Sequence, residues 1–264
     1  MNEVLHALRD APHTSISAIK SYLICPMKHF HRYVLHSEST HRSVNLVLGS
    51  AVHEGIAAFY AYFAEHGEAP PVSDVLDAFD GSWTHSLDRE PPVRSDDIGA
   101  DKDLGVELMK VFHETAPRPA RVIAVEFSFA IPLRSPTNHE RSHRLIVGAI
   151  DAVVADEAGR TLLLEAKTAK RRWADVQLRY DIQPTIYQIA AKEIGLDDDP
   201  TLRFDFLLKL KTPVFETTEV TRTSADETEA LTVIWQVCRA VDAGVFYPVR
   251  SWACADCEFG HLCG

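Results

Sequence analysis

The strongest constraint on this chain is a pair of apolar segments, residues 145–155 (LIVGAIDAVVA) and 161–167 (TLLLEAK), separated by the polar run Asp156-Glu157-Ala158-Gly159-Arg160. That run has hairpin composition, so the two segments are expected to pair as antiparallel strands. If Ala155 meets Thr161 across the loop, the register sets Asp151 opposite Glu165 on one face, with Cβ atoms about 4.5–5.5 Å apart. Lys167 shares that face, because strand side chains alternate with period two. A loop one residue shorter would turn Asp151 to the other face. Two carboxylates so close repel unless a cation lies between them. A hard divalent ion meets that demand, since Mg²⁺ takes carboxylate oxygens and keeps several waters. A cross-strand ion pair of Lys167 with either acid meets it too, and the local residues leave both readings open.

A chain of 264 residues can bury about three-quarters of its unfolded surface, in one large domain or two small ones, without disulfide staples. No run of about 18 apolar residues is found that would cross a membrane. The polar start MNEVLHALRDAPH lacks the apolar core of a signal peptide, and the expected location is the cytoplasm. The formal net charge of −11 is awkward for nucleic-acid binding, because phosphates are normally met by clustered Lys and Arg. Two local groups run against that total: Lys167, Lys170, Arg171 and Arg172 at the end of the hairpin, and Lys209 with Lys211. Each group is either a solvated loop or a phosphate-binding patch.

Periodicity and punctuation order the rest of the chain. Residues 15–24 read as a serine-capped helix ended by Cys25-Pro26, because the residue before proline disfavours α. Residues 48–65 read as a second helix. Val52, Ile56, Phe59, Tyr60 and Phe63 recur there at helical spacing, and Gly67 follows as a stop. Residues 73–87 and 104–114 complete a helical section, 1–115. Strands are expected at 122–133, in the hairpin, at 204–211 and at 215–221. Helices are expected at 186–194 and 225–243, the last opened by a capping box from Ser224 to Glu227 and closed by Gly244. The sum is an α/β (α+β) fold with a central mixed sheet flanked by helices, the helical section packing over one side. A core spans 116–224, and a C-terminal helix and cysteine segment spans 225–264, all within a single domain 1–264.

Five cysteines are present, and Cys254, Cys257 and Cys263 form C-x2-C-x5-C. Close cysteines in a cytosolic chain suggest a metal or redox centre. Cys25, before Pro26, is the better-presented fourth ligand. Cys238 lies mid-helix on an apolar face and reads as an inert buried thiol. Four thiolates suit tetrahedral zinc or an iron–sulfur cluster, and His261 could replace a cysteine in a zinc site. His53 stands alone in LGSAVHEG, while His29, His31, His36 and His41 read as a solvated stretch. Gln183 and Tyr187 are four apart on one helical face, and Pro184 places Gln183 at the helix start. Glu126 is the one acid in the apolar strand 122–133.

Taken in order, these motifs resemble the PD-(D/E)XK nuclease superfamily. More narrowly they look like its RecB-like iron–sulfur exonucleases, the branch that includes the CRISPR-associated exonuclease and the AddB nuclease domain. The resemblance rests on Ser15, Ser17, Tyr22, Cys25 and Pro26 (S-x-S-x4-Y-x2-C-P) and on Gly49 and His53 (G-x3-H). It continues through Asp151, Glu165 and Lys167 (D…E-x-K), Gln183 and Tyr187 (Q-x3-Y), and the closing Cys254, Cys257 and Cys263. Ile150 stands where the family name has proline. The resemblance implies a restriction-endonuclease-like fold with a C-terminal iron–sulfur segment. It implies Mg²⁺ or Mn²⁺ held by His53, Asp151, Glu165 and the Ala166 carbonyl, with Lys167, Gln183 and Tyr187 as catalytic partners. It further implies a 4Fe-4S cluster on Cys25, Cys254, Cys257 and Cys263, zinc being the alternative. Glu126, Lys170, Arg171 and Arg172 are candidate substrate-side residues. The implied substrate is DNA, single-stranded or with free ends, with DNA-processing protein partners and oligomerisation both compatible. Two other classes compete: a non-catalytic DNA-binding or adaptor protein of the same fold, and an iron–sulfur redox protein.

Overall fold

A computed structural model describes residues 12–138 and 140–263; the polar N-terminal start discussed above lies outside the described residues, apart from Pro12 and His13. Strand β1 (His13–Ser15) leads into α1 (Ile16–Ile24), the short α2 (Pro26–His29) and a π-helical turn, Phe30–Val34. A two-residue strand β2 (Arg42–Ser43) precedes the long α3 (Val44–His66), followed by α4 (Val72–Leu87), β3 (Val93–Arg94) and α5 (Ile98–Thr115). The sheet strands β4 (Arg121–Arg134), β5 (Arg141–Ala155) and β6 (Thr161–Ala169) come next. Helices α6 (Asp175–Tyr180) and α7 (Ile182–Glu193), strands β7 (Thr201–Leu208) and β8 (Val214–Val220), and α8 (Ser224–Asp242) complete the core.

The hairpin forms in the expected register, with Ala155 opposite Thr161 and Ala152 opposite Leu164. Asp156 builds the turn by accepting the backbone N–H groups of Ala158 and Arg160, both at 2.9 Å. Gly159 supplies the left-handed residue (φ +80°) that a side chain would resist. The six-stranded sheet is mixed: β4–β5, β5–β6 and β7–β8 are antiparallel, whereas β1–β5 and β6–β7 are parallel.

Strand β5 has β4 along one edge. Its other edge is divided. β1 pairs with Leu145 to Val147, and β6 pairs with Ala152 to Ala155. Among the described residues no strand pairs with residues 148–151 on that edge. The expected Asp151–Glu165 pair lies one step beyond the last rung of the ladder, where β6 has parted from β5.

The helical section divides between the two faces of the sheet instead of covering one. Helices α3, α4 and α5 pack on one face, burying Val52, Phe59, Phe79, Trp83 and Phe112 with Ala152, Val154, Leu162 and Leu164. Burial of each such large side chain stabilises the fold by about 1.5–3 kcal/mol. The three helices approach closely at Gly55, against Met109 and Val75, and at Gly105, against Phe79 and Leu48; an added Cβ would collide at either position. On the opposite face α1 joins α7 and α8, with Ile16, Ile19 and Tyr22 beside Ile150, Val153, Leu163, Tyr187 and Ile234. The serine cap and Cys25-Pro26 bound α1 locally, but which layer it joins depends on β1 pairing with β5, a contact more than 130 residues away in sequence.

Other sequence expectations need correcting. Helix α5 begins at Ile98, because the Asp97 side chain accepts the N–H of Ala100 at 3.0 Å and caps it six residues early. The capping box of α8 sits one residue upstream of the expected pair: Thr223 and Asp226 satisfy each other's backbone N–H groups. His29 and His31 are buried, not solvated. Their Nδ1 atoms lie 2.9 Å from the Ala18 carbonyl and 3.0 Å from the Ser37 hydroxyl. Helix α3 is long and apolar enough to cross a membrane by length and composition, yet half of its apolar window is buried inside the protein. It is the helix that carries His53.

Candidate active site

The gap in the sheet is where the sequence motifs meet. Beyond Ala152 the backbone of β5 has no rung to β6, and the Asp151 side chain replaces one. Its Oδ2 accepts the N–H of Ala166 at 2.7 Å, while Oδ1 lies 3.0 Å from Nδ1 of His53 on α3. Within the same gap the Ala149 carbonyl accepts the Tyr187 hydroxyl at 2.7 Å. That bond gives the Ala149 carbonyl a side-chain partner on the edge where no strand supplies one.

Glu165 is buried, and both of its oxygens are engaged. Oε1 forms an ion pair with the Lys167 ammonium, two residues along the same strand face. Oε2 lies 2.7 Å from the Tyr187 hydroxyl. That hydroxyl has one proton for two acceptors, Ala149 and Glu165, and itself accepts from Gln183 Nε2 at 2.8 Å. The Gln183 side-chain carbonyl accepts from Lys167 at 3.3 Å. Gln183 is the second residue of α7, with Asp181 as N-cap, so the glutamine points from the helix start and Tyr187 lies one turn on.

Electrostatics follow from this crowding. Burial, and then the charge of Asp151, raises the Glu165 pKa against the pull of Lys167. Burial works against charged His53, yet the hydrogen bond and charge of Asp151, with Glu165, outweigh it and raise its pKa. Burial likewise opposes the Lys167 ammonium, and Glu165 and Asp151 overcome it. Burial and the Glu165 charge push the Tyr187 hydroxyl well up. Glu126 stands opposite Asp151, between the rungs Val125–Ala152 and Phe127–Ile150, in the left-handed region (φ +48°). A non-glycine residue there is strained. Partial burial, followed by the charges of Glu54 and Asp151, raises its pKa.

A family model for the PD-(D/E)XK nuclease superfamily matches residues 13–264. The chain belongs to the PD-(D/E)XK nuclease superfamily. No curated protein matches it. Among solved structures, the protein named "Putative exonuclease" from Eubacterium rectale aligns over 97% of this chain and 89% of its own, with 14% identity and a TM-score of 0.59. The protein SSO0001 aligns over 94% of each chain, with 14% identity and a TM-score of 0.39. The central mixed sheet flanked by helices is the restriction-endonuclease-like fold expected of such a nuclease.

Two residues near the opening in the sheet escaped the sequence reading. Lys20 of α1 donates to Gln183 Oε1 at 2.9 Å and to Asp181 Oδ2 at 2.8 Å. The signal was present but faint: a lysine inside the apolar helix 15–24, on the turn that precedes Tyr22. Glu54 follows His53 and adds a second carboxylate near Glu126. The basic groups do converge. β6 and β7 are parallel neighbours with Ala169 opposite Leu208, so Lys170 and Lys209 follow at adjacent strand ends.

The nuclease carries a second grouping at its chain ends. Cys25, Cys254, Cys257 and Cys263 line one cavity of about 110 Å³. Tyr22 donates to the Val245 carbonyl at 2.7 Å, Met27 N–H to the Tyr247 carbonyl at 3.1 Å, and Phe30 stacks on Phe246 at 4.5 Å. These contacts dock the C-terminal segment on α1 and α2. Glu258, buried between Lys28 and Arg32, adds two ion pairs. His261 is exposed and does not line the cavity, and Cys238 is buried on α8, its thiol pushed up to about 11 by burial. Among the described residues no three His, Cys, Asp or Glu side chains stand close enough to grip a single ion as placed.

Proposed function

We propose that this nuclease is a metal-dependent DNA exonuclease. In this reading it hydrolyses phosphodiester bonds of single-stranded DNA or DNA ends and carries a structural 4Fe-4S cluster. The observation that carries the proposal is the convergence of His53, Asp151, Glu165, Lys167, Gln183 and Tyr187, drawn from α3, β5, β6 and α7, on one opening in the sheet. Structural ion pairing alone does not require six polar side chains at the one place where two strands part.

The donor chemistry suits a hard divalent cation, which would have to draw these groups closer than they stand. The charge of Asp151 acts on Glu165 with one lysine to offset it, and burial makes the Glu165 charge costly unless further positive charge is supplied. His53, Asp151, Glu165 and the Ala166 carbonyl would hold Mg²⁺ or Mn²⁺, the imidazole favouring Mn²⁺. When bound, the ion supplies Lewis acidity at the scissile phosphate and a more acidic water. Lys167, aimed by Glu165 and Gln183, would hold the attacking water and offset charge on the phosphoryl oxygens. Tyr187 and Gln183 keep Glu165 and Lys167 in register. Lys170, Arg171 and Arg172 would meet phosphates of the strand, and Glu126 would border the opening on the β4 side.

The cluster reading rests on the resemblance, together with the gathering of Cys25, Cys254, Cys257 and Cys263 around one cavity; zinc, which four thiolates also suit, is the alternative. We further propose that residues 1–264 act as one cytoplasmic nuclease domain, with the helical section, core and cysteine segment tied by the Tyr22, Met27 and Glu258 contacts.

An end-labelled single-stranded oligonucleotide incubated with Mg²⁺ or Mn²⁺ tests the activity. Progressive shortening by the wild type, absent in Glu165→Ala, is expected; equal activity in both overturns the assignment. Broad visible absorbance that bleaches on reduction is expected of the purified protein, and a colourless protein with stoichiometric zinc overturns the cluster.

A further inference from the structure

Helix α3 does more than present His53. Its exposed strip continues toward the N-terminus through Ser50 and Gly49 to Leu46 and Asn45. These positions recur at three- and four-residue spacing and share one helical face. Leu46 to His53 spans about 10.5 Å along the axis at 1.5 Å per residue, the length of about three stacked nucleotides at 3.4 Å each. Gly49 leaves that strip flat, with Thr168 of β6 beside it; a Cβ there would reach 3.9 Å from the threonine hydroxyl.

At its N-terminal end the strip has different chemistry on its two sides. On the side of the β6 and β7 ends, Lys209 donates to Asn45 Oδ1 at 2.6 Å. The exposed Lys170 is near enough for its charge to act on Lys209. On the far side, Asn45 and Leu46 open into a cleft of about 420 Å³ shared with Trp252 and Ile24. Trp252 is 84% exposed and Leu46 59%. Exposed apolar residues scattered singly need no explanation, but an indole and a leucine on one cleft call for an occupant. The cations inside that cleft are already engaged: Lys28 and Arg32 with Glu258, and Arg42 with the carbonyls of Ser86, Arg89 and Pro91. The cleft therefore offers stacking surface, and the strand ends offer positive charge, along one continuous face that ends at the catalytic centre.

We infer that a single-stranded nucleic acid reaches the catalytic centre along this face of α3, its phosphates meeting Lys170 and Lys209 and an unpaired base stacking on Trp252. The inference rests on the nuclease reading above for the identity of the centre. A planar base matches an exposed indole, and such stacking is tolerant of sequence because every base has a π face. A duplex holds its bases paired and inward, so it gains nothing from the indole.

Fluorescence anisotropy of a fluorescein-labelled 20-nucleotide oligo(dT), without added divalent metal, reads this surface independently of cleavage. Trp252→Ala is expected to weaken binding about tenfold, with Trp252→Phe recovering most of it. Lys170→Ala with Lys209→Ala is expected to lower the slope of log K against log salt by about 1.4. Binding of a blunt duplex is expected not to change in Trp252→Ala. Wild-type affinity in Trp252→Ala, or an equal loss for the duplex, overturns the path. Parallel cleavage assays separate the two readings. Trp252-dependent binding without cleavage overturns the nuclease assignment and leaves the path standing. Cleavage with binding indifferent to Trp252 overturns the path alone. Absence of both overturns both.

Discussion

The Asp151 carboxylate accepts the backbone N–H of Ala166 at 2.7 Å. A side chain thus completes what the β5–β6 ladder leaves undone, and the strands separate just where the acid sits. The gap admits Tyr187 to the Ala149 carbonyl and brings His53 to Asp151. The same device that satisfies the backbone also holds a carboxylate at the mouth of the opening.

The hairpin acids are the first test. Glu165→Ala and Lys167→Ala are each expected to lower degradation of single-stranded DNA by at least about 10²–10³-fold, the scale on which a preorganised electrostatic group acts. Far-ultraviolet circular dichroism is expected to match the wild type, since the core clusters on both faces remain.

Tyr187→Phe removes one hydroxyl that serves Ala149, Glu165 and Gln183. Leaving the buried Glu165 oxygen without its donor costs about 1–3 kcal/mol, so urea denaturation should show a lower midpoint with an unaltered slope. Activity should fall as well, because Glu165 loses the group that fixes its second oxygen.

Lys20 gives a pH test. Burial lowers its pKa below 10.5, and Asp181 only partly restores it. Lys20 therefore loses its charge, and its grip on Gln183, at lower pH than an exposed lysine. Activity is expected to decline on the alkaline side, and Lys20→Arg is expected to move that limb upward. For stability the sign is opposite: with the folded pKa below the unfolded one, the unfolded chain holds more protons between the two values, so this group's contribution rises with pH there. A pH–rate profile and denaturation at matched pH check both.

Deep in β7, Arg203 and Asp205 form a buried pair at 2.7 Å, with the Tyr60 hydroxyl near the guanidinium at 3.4 Å. Asp205→Ala strands the arginine and is expected to destabilise the fold by about 3–5 kcal/mol. Asp205→Ala combined with Arg203→Met is expected to recover most of that loss, measured by urea unfolding.

The cysteines divide cleanly. Cys263→Ser is expected to lose visible absorbance and loosen the C-terminal segment. Cys238→Ser is expected to keep the full spectrum, because that thiol lies buried on α8 away from the cavity. Iron content and limited proteolysis report the two effects.

Much of the site was legible because its signals are local. Loop length and strand alternation settled the hairpin register, Pro184 placed Gln183 at a helix start, and the buried face of α3 followed from Val52, Ile56, Phe59 and Phe63. Lys20, Glu54 and the burial of His29 and His31 were not legible, because their partners are supplied by other elements: Gln183 and Asp181 for Lys20, Glu126 for Glu54, and Ala18 and Ser37 for the histidines.

By itself, then, the amino-acid sequence determined the local structures that hold the candidate residues, since periodicity, caps and turns act over a few residues. Only the tertiary structure decided that β1 and β6 share one edge of β5 and leave residues 148–151 unpaired. The reason is that an edge is shared by strands far apart in the chain. Their spacing is set by packing on both faces of the sheet, and the opening beside Asp151 is the space they leave.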